Sequence, residues 1–227
     1  MFVLGIVGSP AGGKSTAAEH LASLGAEWIN ADLIARECLN TSEVIDKLVE
    51  RFGTEILYQS TTDHRQVDRA KIADFVFGDE PAKRDNLRYL ESIVHPPTRQ
   101  VIMDRIATAA QQGKTVALLD VPLLFESHWD LTCDEIWCVH ASLENRLPRI
   151  KNRGWDRREL ERRERCQMPI ETKCRLSNHV MWNDLTLDAL RENLDRQWLQ
   201  IAKMMKSLNN RRPESHLKGQ GKHCLSD

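Results

Sequence analysis

Between an apolar run, Phe2-Val3-Leu4-Gly5-Ile6-Val7, and a stretch of helical spacing over 15–24 stands Gly8-Ser9-Pro10-Ala11-Gly12-Gly13-Lys14-Ser15. This pattern, G-x-x-x-x-G-K-[ST], narrows the choice of fold more than any other feature of the chain. It requires a strand, a tight glycine turn and a helix N-terminus in that order. Glycines allow successive backbone N–H groups to converge on phosphate oxygens, and the helix end adds the positive pole of its dipole. Lys14 offers a cation for β- and γ-phosphates, and Ser15 a hydroxyl for Mg²⁺. Pro10 takes one donor away from the turn. The bland alternative is a glycine-rich turn that binds nothing.

The rest of the chain is organised around that unit. Ala17, Ala18, Leu21 and Ala22 fall on one helical face, and Gly25 ends the helix. Apolar runs at 26–30, 115–120 and 135–139 predict three further strands. Strands separated by helices imply a parallel sheet with right-handed crossovers. The expected class is therefore α/β, with a P-loop nucleotide-binding parallel sheet core formed by 1–36, 114–143 and 176–206. The interval between the second and third strands is too long for one crossover. Its helical patterns, Val44-Ile45-Leu48-Val49, Ile72-Phe75-Val76 and Leu87-Leu90-Ile93, predict a helical substrate-binding insertion over 37–113, with a polar connection at 59–65. Residues 144–175 hold eleven basic and six acidic side chains, the basic concentration of the folded body, and are expected to form an Arg-rich lid. Leu187, Leu190, Leu194, Trp198, Ile201 and Met205 describe an amphipathic last helix. Residues 207–227 are expected to be a mobile, solvated tail.

Composition removes several classes. Across 227 residues, 32 Lys and Arg face 33 Asp and Glu, so neither nucleic acid nor membrane is an expected partner. No apolar run approaches the roughly 18 residues a membrane helix needs. The expectation is a cytoplasmic monomer or weak homo-oligomer. Six cysteines without a C-x-x-C pair suit neither a zinc site nor a dense disulfide framework, and are expected to be reduced thiols, mostly packing residues. No guanine-specifying Asn-Lys-x-Asp is present, which leaves a small-molecule kinase as the reading of the glycine turn. Such an enzyme needs an acceptor hydroxyl in line with the γ-phosphorus and a group to take its proton. Asp32, just beyond the second strand, is placed for that role, and is equally placed to cap the following helix.

A longer ordered series then accumulates. It runs through Asn30-Ala31-Asp32-Leu33-Ile34-Ala35-Arg36, Val67-Asp68-Arg69, Leu90-Glu91-Ser92-Ile93-Val94-His95-Pro96 with Arg99, and Asp120-Val121-Pro122-Leu123-Leu124-Phe125-Glu126. Arg146, Arg153-Gly154, Arg163, Gln167-Met168, Lys173 and Asn183 complete it. From about residue 2 to 205 the chain resembles the dephospho-CoA kinase family. The resemblance implies transfer of the ATP γ-phosphate to the 3′-hydroxyl of dephospho-CoA, with these two small molecules as substrates and Mg²⁺ as cofactor. It implies Asp32 as the catalytic base, assisted by Lys14. It places Ala11, Gly12, Gly13, Lys14, Ser15, Thr16, Arg146 and Arg153 on ATP, and Asp32, Arg36, His95 and Arg99 on the acceptor. Ser15 and Asp120 are the metal candidates.

Bland readings stand beside these. Asp120 could be a strand-end turn residue, His95 a helix-end histidine before Pro96, and Glu126 a cap. Trp155 could stack on a base or pack, and Arg163 could close over ATP or join the solvated Glu–Arg pairs expected of Arg157, Arg158 and Arg162. The chain also departs from the family pattern. Asn30 stands where Asp is common, Glu164 where an apolar residue is common, and Ser177-Asn178 in place of Ala-Asp. Two other functions compete. A nucleoside monophosphate kinase would need no base at Asp32, and a nucleotide-dependent binding module would use the basic tail on RNA.

Overall fold

In the computed structural model the described residues are 1–58 and 65–210, without the side chains of 208–210. The chain builds β1 (Phe2–Gly8), α1 (Lys14–Ser23), β2 (Glu27–Asn30), α2 (Ala31–Leu39), α3 (Ser42–Phe52), α4 (Arg69–Val76) and α5 (Pro81–Gln111). It continues with β3 (Val116–Asp120), β4 (Glu135–His140), α6 (Leu143–Lys151), α7 (Arg157–Arg165), α8 (Ile170–Leu176), β5 (His179–Trp182) and α9 (Leu187–Asn210). The five strands form one sheet in the order β2-β3-β1-β4-β5, and every pairing is parallel.

The continuous apolar character of β1 and β3 follows from burial on both faces. Leu4, Ile6, Leu118 and Trp137 face Ala17, Ala18 and Leu21 of α1 and Leu190, Leu194 and Ile201 of α9. Val3, Val7, Ile29 and Leu119 face Ile34 of α2 and Ile102 of α5. A third core lies inside the insertion, where Val44, Ile45, Leu48 and Phe52 of α3 meet Ile72 and Val76 of α4 and Val94 of α5. Truncating a fully buried member such as Leu118 to Ala costs about 2–5 kcal/mol.

Three expectations need correction. His95 does not end a helix: α5 runs for 31 residues straight through Pro96 and Pro97. Prolines remove two helical N–H groups, but both halves of α5 are anchored, by Val94 in one core and Ile102 in the other. Strand β5 has no counterpart among the expected strands, and α9 reaches Asn210, into the segment expected to be tail. Of the five described cysteines, Cys166 alone is exposed, as an expectation of mostly packing residues allows. Most of the polar connection at 59–65, and the tail from 211 onward, lie outside the described residues.

Candidate active site

Both functional clusters stand at the carboxyl ends of the strands, where open parallel sheets bind ligands. After β1 the chain turns back so closely that a side chain at Gly8 would strike the Val139 carbonyl. Ala11 adopts φ 61, a conformation non-glycine residues rarely hold, and Gly13 adopts φ 107 as the N-cap of α1. Asn183, buried beyond β5, donates from its side chain to the Gly12 carbonyl at 2.9 Å and so pins the turn. On the other side, the Ser9 hydroxyl lies 2.9 Å from His140 Nδ1. Burial, and after it the Arg146 charge, hold the His140 pKa below its usual value. The Gly12 N–H donates to the Ser9 carbonyl at 2.9 Å. The N–H groups of Ala11, Gly13, Lys14, Ser15 and Thr16 have no acceptor among the described residues, and they open at a helix N-terminus where an anion is favoured.

Lys14 crosses to form an ion pair with Asp120 at the end of β3. The other Asp120 carboxylate oxygen accepts the Trp28 indole N–H at 3.3 Å. Among the described residues no group of three or more His, Cys, Asp or Glu could hold a metal ion. That is compatible with Mg²⁺, which characteristically takes one or two protein oxygens and completes its shell with phosphates and water. Asp120, 3% exposed, and the exposed Ser15 hydroxyl supply such a hard-oxygen pair.

A second cluster lines a cavity of about 380 Å³ between α2, α5 and the segment after β3. Asp32, His95, Arg99, Val121, Leu123 and Trp129 face it. Asp32 stands in the first turn of α2, but it is Asn30 that caps this helix, accepting the Leu33 N–H at 3.1 Å. The Asp32 carboxylate therefore stays out of the cap. Arg99 stacks its guanidinium 4.2 Å from the Trp129 ring centre and donates to the Ser127 carbonyl at 2.9 Å. Arg36 is exposed on α2 and is not part of this lining.

Asp184 orders the start of the basic segment, accepting the Ser142 N–H at 2.7 Å and the Asn145 amide at 2.9 Å ahead of and within α6. From α6, Arg146 reaches the Pro10 carbonyl at 3.4 Å and is paired with Glu164 of α7. Arg149, one turn on, donates to the Asn183 carbonyl at 2.9 Å and also to the Ala11 and Gly12 carbonyls. The sequence pattern does not single out Arg149, because Arg146, Arg149 and Arg153 all follow one another at helical steps of three and four. Arg153 is exposed and sits 5.4 Å from the Trp155 ring centre, while Arg163 covers the same ring at 4.0 Å and bonds Glu159. Trp155 packs against the small core of Ala11, Ile150 and Leu160. Arg157 and Arg162 form the expected solvated pairs with Glu161 and Glu159. Glu126 caps no helix; it accepts the Met168 N–H at 2.6 Å.

The sequence model of a family described as dephospho-CoA kinase matches residues 2–189. A dephospho-CoA kinase from Rhodopirellula baltica is 41% identical over 189 residues, which cover 83% of this chain and 86% of its own length. One from Carboxydothermus hydrogenoformans is 37% identical over 194 residues, covering 85% and 90%. A solved structure from Thermus thermophilus superposes with a TM-score of 0.71 at 30% identity, over 88% of this chain and 97% of that one. A dephospho-CoA kinase from Campylobacter jejuni shares the fold with a TM-score of 0.63 at 23% identity, over the same shares of the two chains.

Proposed function

Since the chain belongs to the dephospho-CoA kinase family, we infer that it transfers the γ-phosphate of ATP to the 3′-hydroxyl of dephospho-CoA, giving coenzyme A and ADP. On this reading 1–36, 114–143 and 176–206 form the nucleotide-binding core, 37–113 the acceptor domain and 144–175 the lid. The enzyme works in the cytoplasm as a monomer or weak homo-oligomer, a setting that suits five described cysteines in the thiol form.

The free N–H groups of Ala11, Gly13, Lys14, Ser15 and Thr16 take the donor's phosphate oxygens. Lys14 exchanges its Asp120 partner for the β- and γ-phosphates, which frees an Asp120 oxygen. Ser15 and Asp120 would hold Mg²⁺, which when bound offsets negative charge on the β- and γ-oxygens. Arg146 and Arg153 act from the lid on the same phosphates, His95 and Arg99 hold the acceptor in the cavity, and Arg36, exposed on α2 outside that lining, contacts the acceptor beyond it. Asp32 accepts the proton of the 3′-hydroxyl as its oxygen bonds to the γ-phosphorus, and the bond from that phosphorus to the β–γ bridging oxygen breaks to release ADP.

The observation that carries this reading is the Asp32 carboxylate, left free of the helix cap and facing a cavity with His95 and Arg99 at the same sheet edge as the glycine turn. The test is a coupled assay with ATP and Mg²⁺, offering dephospho-CoA against adenosine monophosphate. Turnover with dephospho-CoA, and a fall in kcat of about 10²–10⁴-fold for Asp32→Asn, are expected. Turnover with adenosine monophosphate alone, unchanged by Asp32→Asn, would overturn it.

A further inference from the structure

A cavity of about 760 Å³ opens between the glycine turn and the lid. Gly8, Ser9 and Pro10 form one wall, and Arg146, Glu164, Gln167 and Lys173 contribute to the others. Lys173 is the unusual member. It comes from α8, packed against β1 and β4, and is only 2% exposed. An ammonium group has three donors. Here the Gln167 side-chain oxygen accepts one at 2.9 Å, and no other hydrogen-bond acceptor serves it among the described residues.

The acidic neighbour does not make up the difference. Glu126 lies 4.0 Å away, beyond hydrogen-bond reach, and its nearer oxygen is already engaged by the Met168 N–H. The other three cations near the turn are differently placed, and Arg149 is bonded to the Ala11, Gly12 and Asn183 carbonyls. Lys14 has Asp120 and Arg146 has Glu164 in direct contact. Even so, the buried Nε of Arg146 has no acceptor. Burial holds the Lys173 pKa below its usual value, and the positive charge of Lys14 pushes it the same way, although Glu126 opposes the shift. A buried ammonium with so little compensation is costly unless an anion arrives to pair with it.

We propose that Lys173 is a further phosphate-binding residue of the reaction, held on Gln167 until the anionic oxygens of a substrate enter this cavity. The proposal rests on the kinase reading given above. Two sources present the same chemistry here: the transferring phosphoryl group of ATP, and the diphosphate of dephospho-CoA. Gln167 is then a positioning residue that keeps the ammonium at the cavity wall.

Lys173→Met preserves the buried stem and removes the charge. With each substrate varied in turn, kcat/KM is expected to fall about 10²-fold. A loss confined to kcat, with both KM values unchanged, assigns Lys173 to the transferring phosphoryl. A rise in KM for dephospho-CoA alone assigns it to the acceptor's diphosphate. Lys173→Ala, assayed with added ethylammonium, is expected to recover part of the lost turnover, which a purely structural lysine would not show. Should either variant fold poorly, Gln167→Ala, which spares the ammonium, is expected to shift KM or kcat in the same direction by a smaller factor. Unchanged kcat and KM for Lys173→Met, with wild-type enzyme turning over normally, would end the proposal and leave the kinase reading intact. Failure of wild-type enzyme to use dephospho-CoA would instead strike that reading. In that event titrations with ATP and with inorganic diphosphate decide, and equal affinities of wild type and Lys173→Met for both end the proposal too.

Discussion

At the donor end of the site Lys14 rests on Asp120, Arg146 on Glu164, and Arg149 on three backbone carbonyls. At the cavity proposed for the acceptor, Asp32 and His95 have no hydrogen-bonded or ionic side-chain partner among the described residues, and only Arg99 is held, by Trp129 and Ser127. The difference teaches how one protein handles two anionic substrates. A cation already bonded inside the protein exchanges one partner for another when phosphate arrives, so its net contribution to affinity is smaller than its charge suggests, while its position is fixed beforehand. A carboxylate without an internal partner is open to a substrate hydroxyl, and relies on the walls of its cavity for placement.

The sharpest way to break this contrast is Lys14→Met. It should lower kcat about 10²–10³-fold. It should also destabilise the unliganded protein by about 3 kcal/mol, because Asp120 keeps only the Trp28 indole as partner. Melting curves without nucleotide would show it. An unchanged Tm would mean that the internal partner matters little.

Arg149→Met should weaken ATP binding about tenfold and leave KM for the acceptor unaltered, since all its bonds run to the glycine turn and to Asn183. Calorimetric titration with ATP checks the first part. Arg99→Ala is the mirror experiment. Loss of the Trp129 stack and of a cation at the cavity rim should raise KM for dephospho-CoA about fivefold while ATP affinity stays constant. If both variants disturb both substrates equally, the two ends are not separable.

The smallest effect concerns His140, which sits against Ser9 at the base of the turn. Its folded pKa lies below the unfolded value of 6.5, so the unfolded chain binds the proton more readily. This contribution is complete above pH 6.5 and is lost as the pH falls through the folded pKa. Replacing His140 by Gln should flatten the wild-type loss of Tm on acidification without changing the acceptor KM.

Much of this arrangement could be read in advance because short-range rules govern it. The glycine motif, the flanking apolar strand and the helix starting at Lys14 must occur together, and Asp32 and Asp120 follow as residues at or just past strand ends. What escaped was set by tertiary context. Strand β5 has four residues at the sheet edge, with Met181 alone buried, so its pattern is faint. Pro96 and Pro97 argue locally for a break that packing on both sides overrides. Among eleven basic residues in 144–175, nothing local distinguishes Arg149 on the glycine turn from Arg153 beside Trp155. The departures from the family pattern are each absorbed by a specific bond. Asn30 caps α2, Asn178 accepts the Ile136 N–H at 2.8 Å, and Glu164 meets Arg146.

The single long helix α5 has a mechanical consequence. Because one rod is seated in the sheet at Ile102 and in the insertion at Val94, the two bodies share a girder and cannot swing freely about a flexible joint. The weak link in that girder is the proline pair, and His95 and Arg99 stand on either side of it. Any flexing of the rod would therefore be felt first as a change in the width of the cavity that Asp32, His95 and Arg99 line.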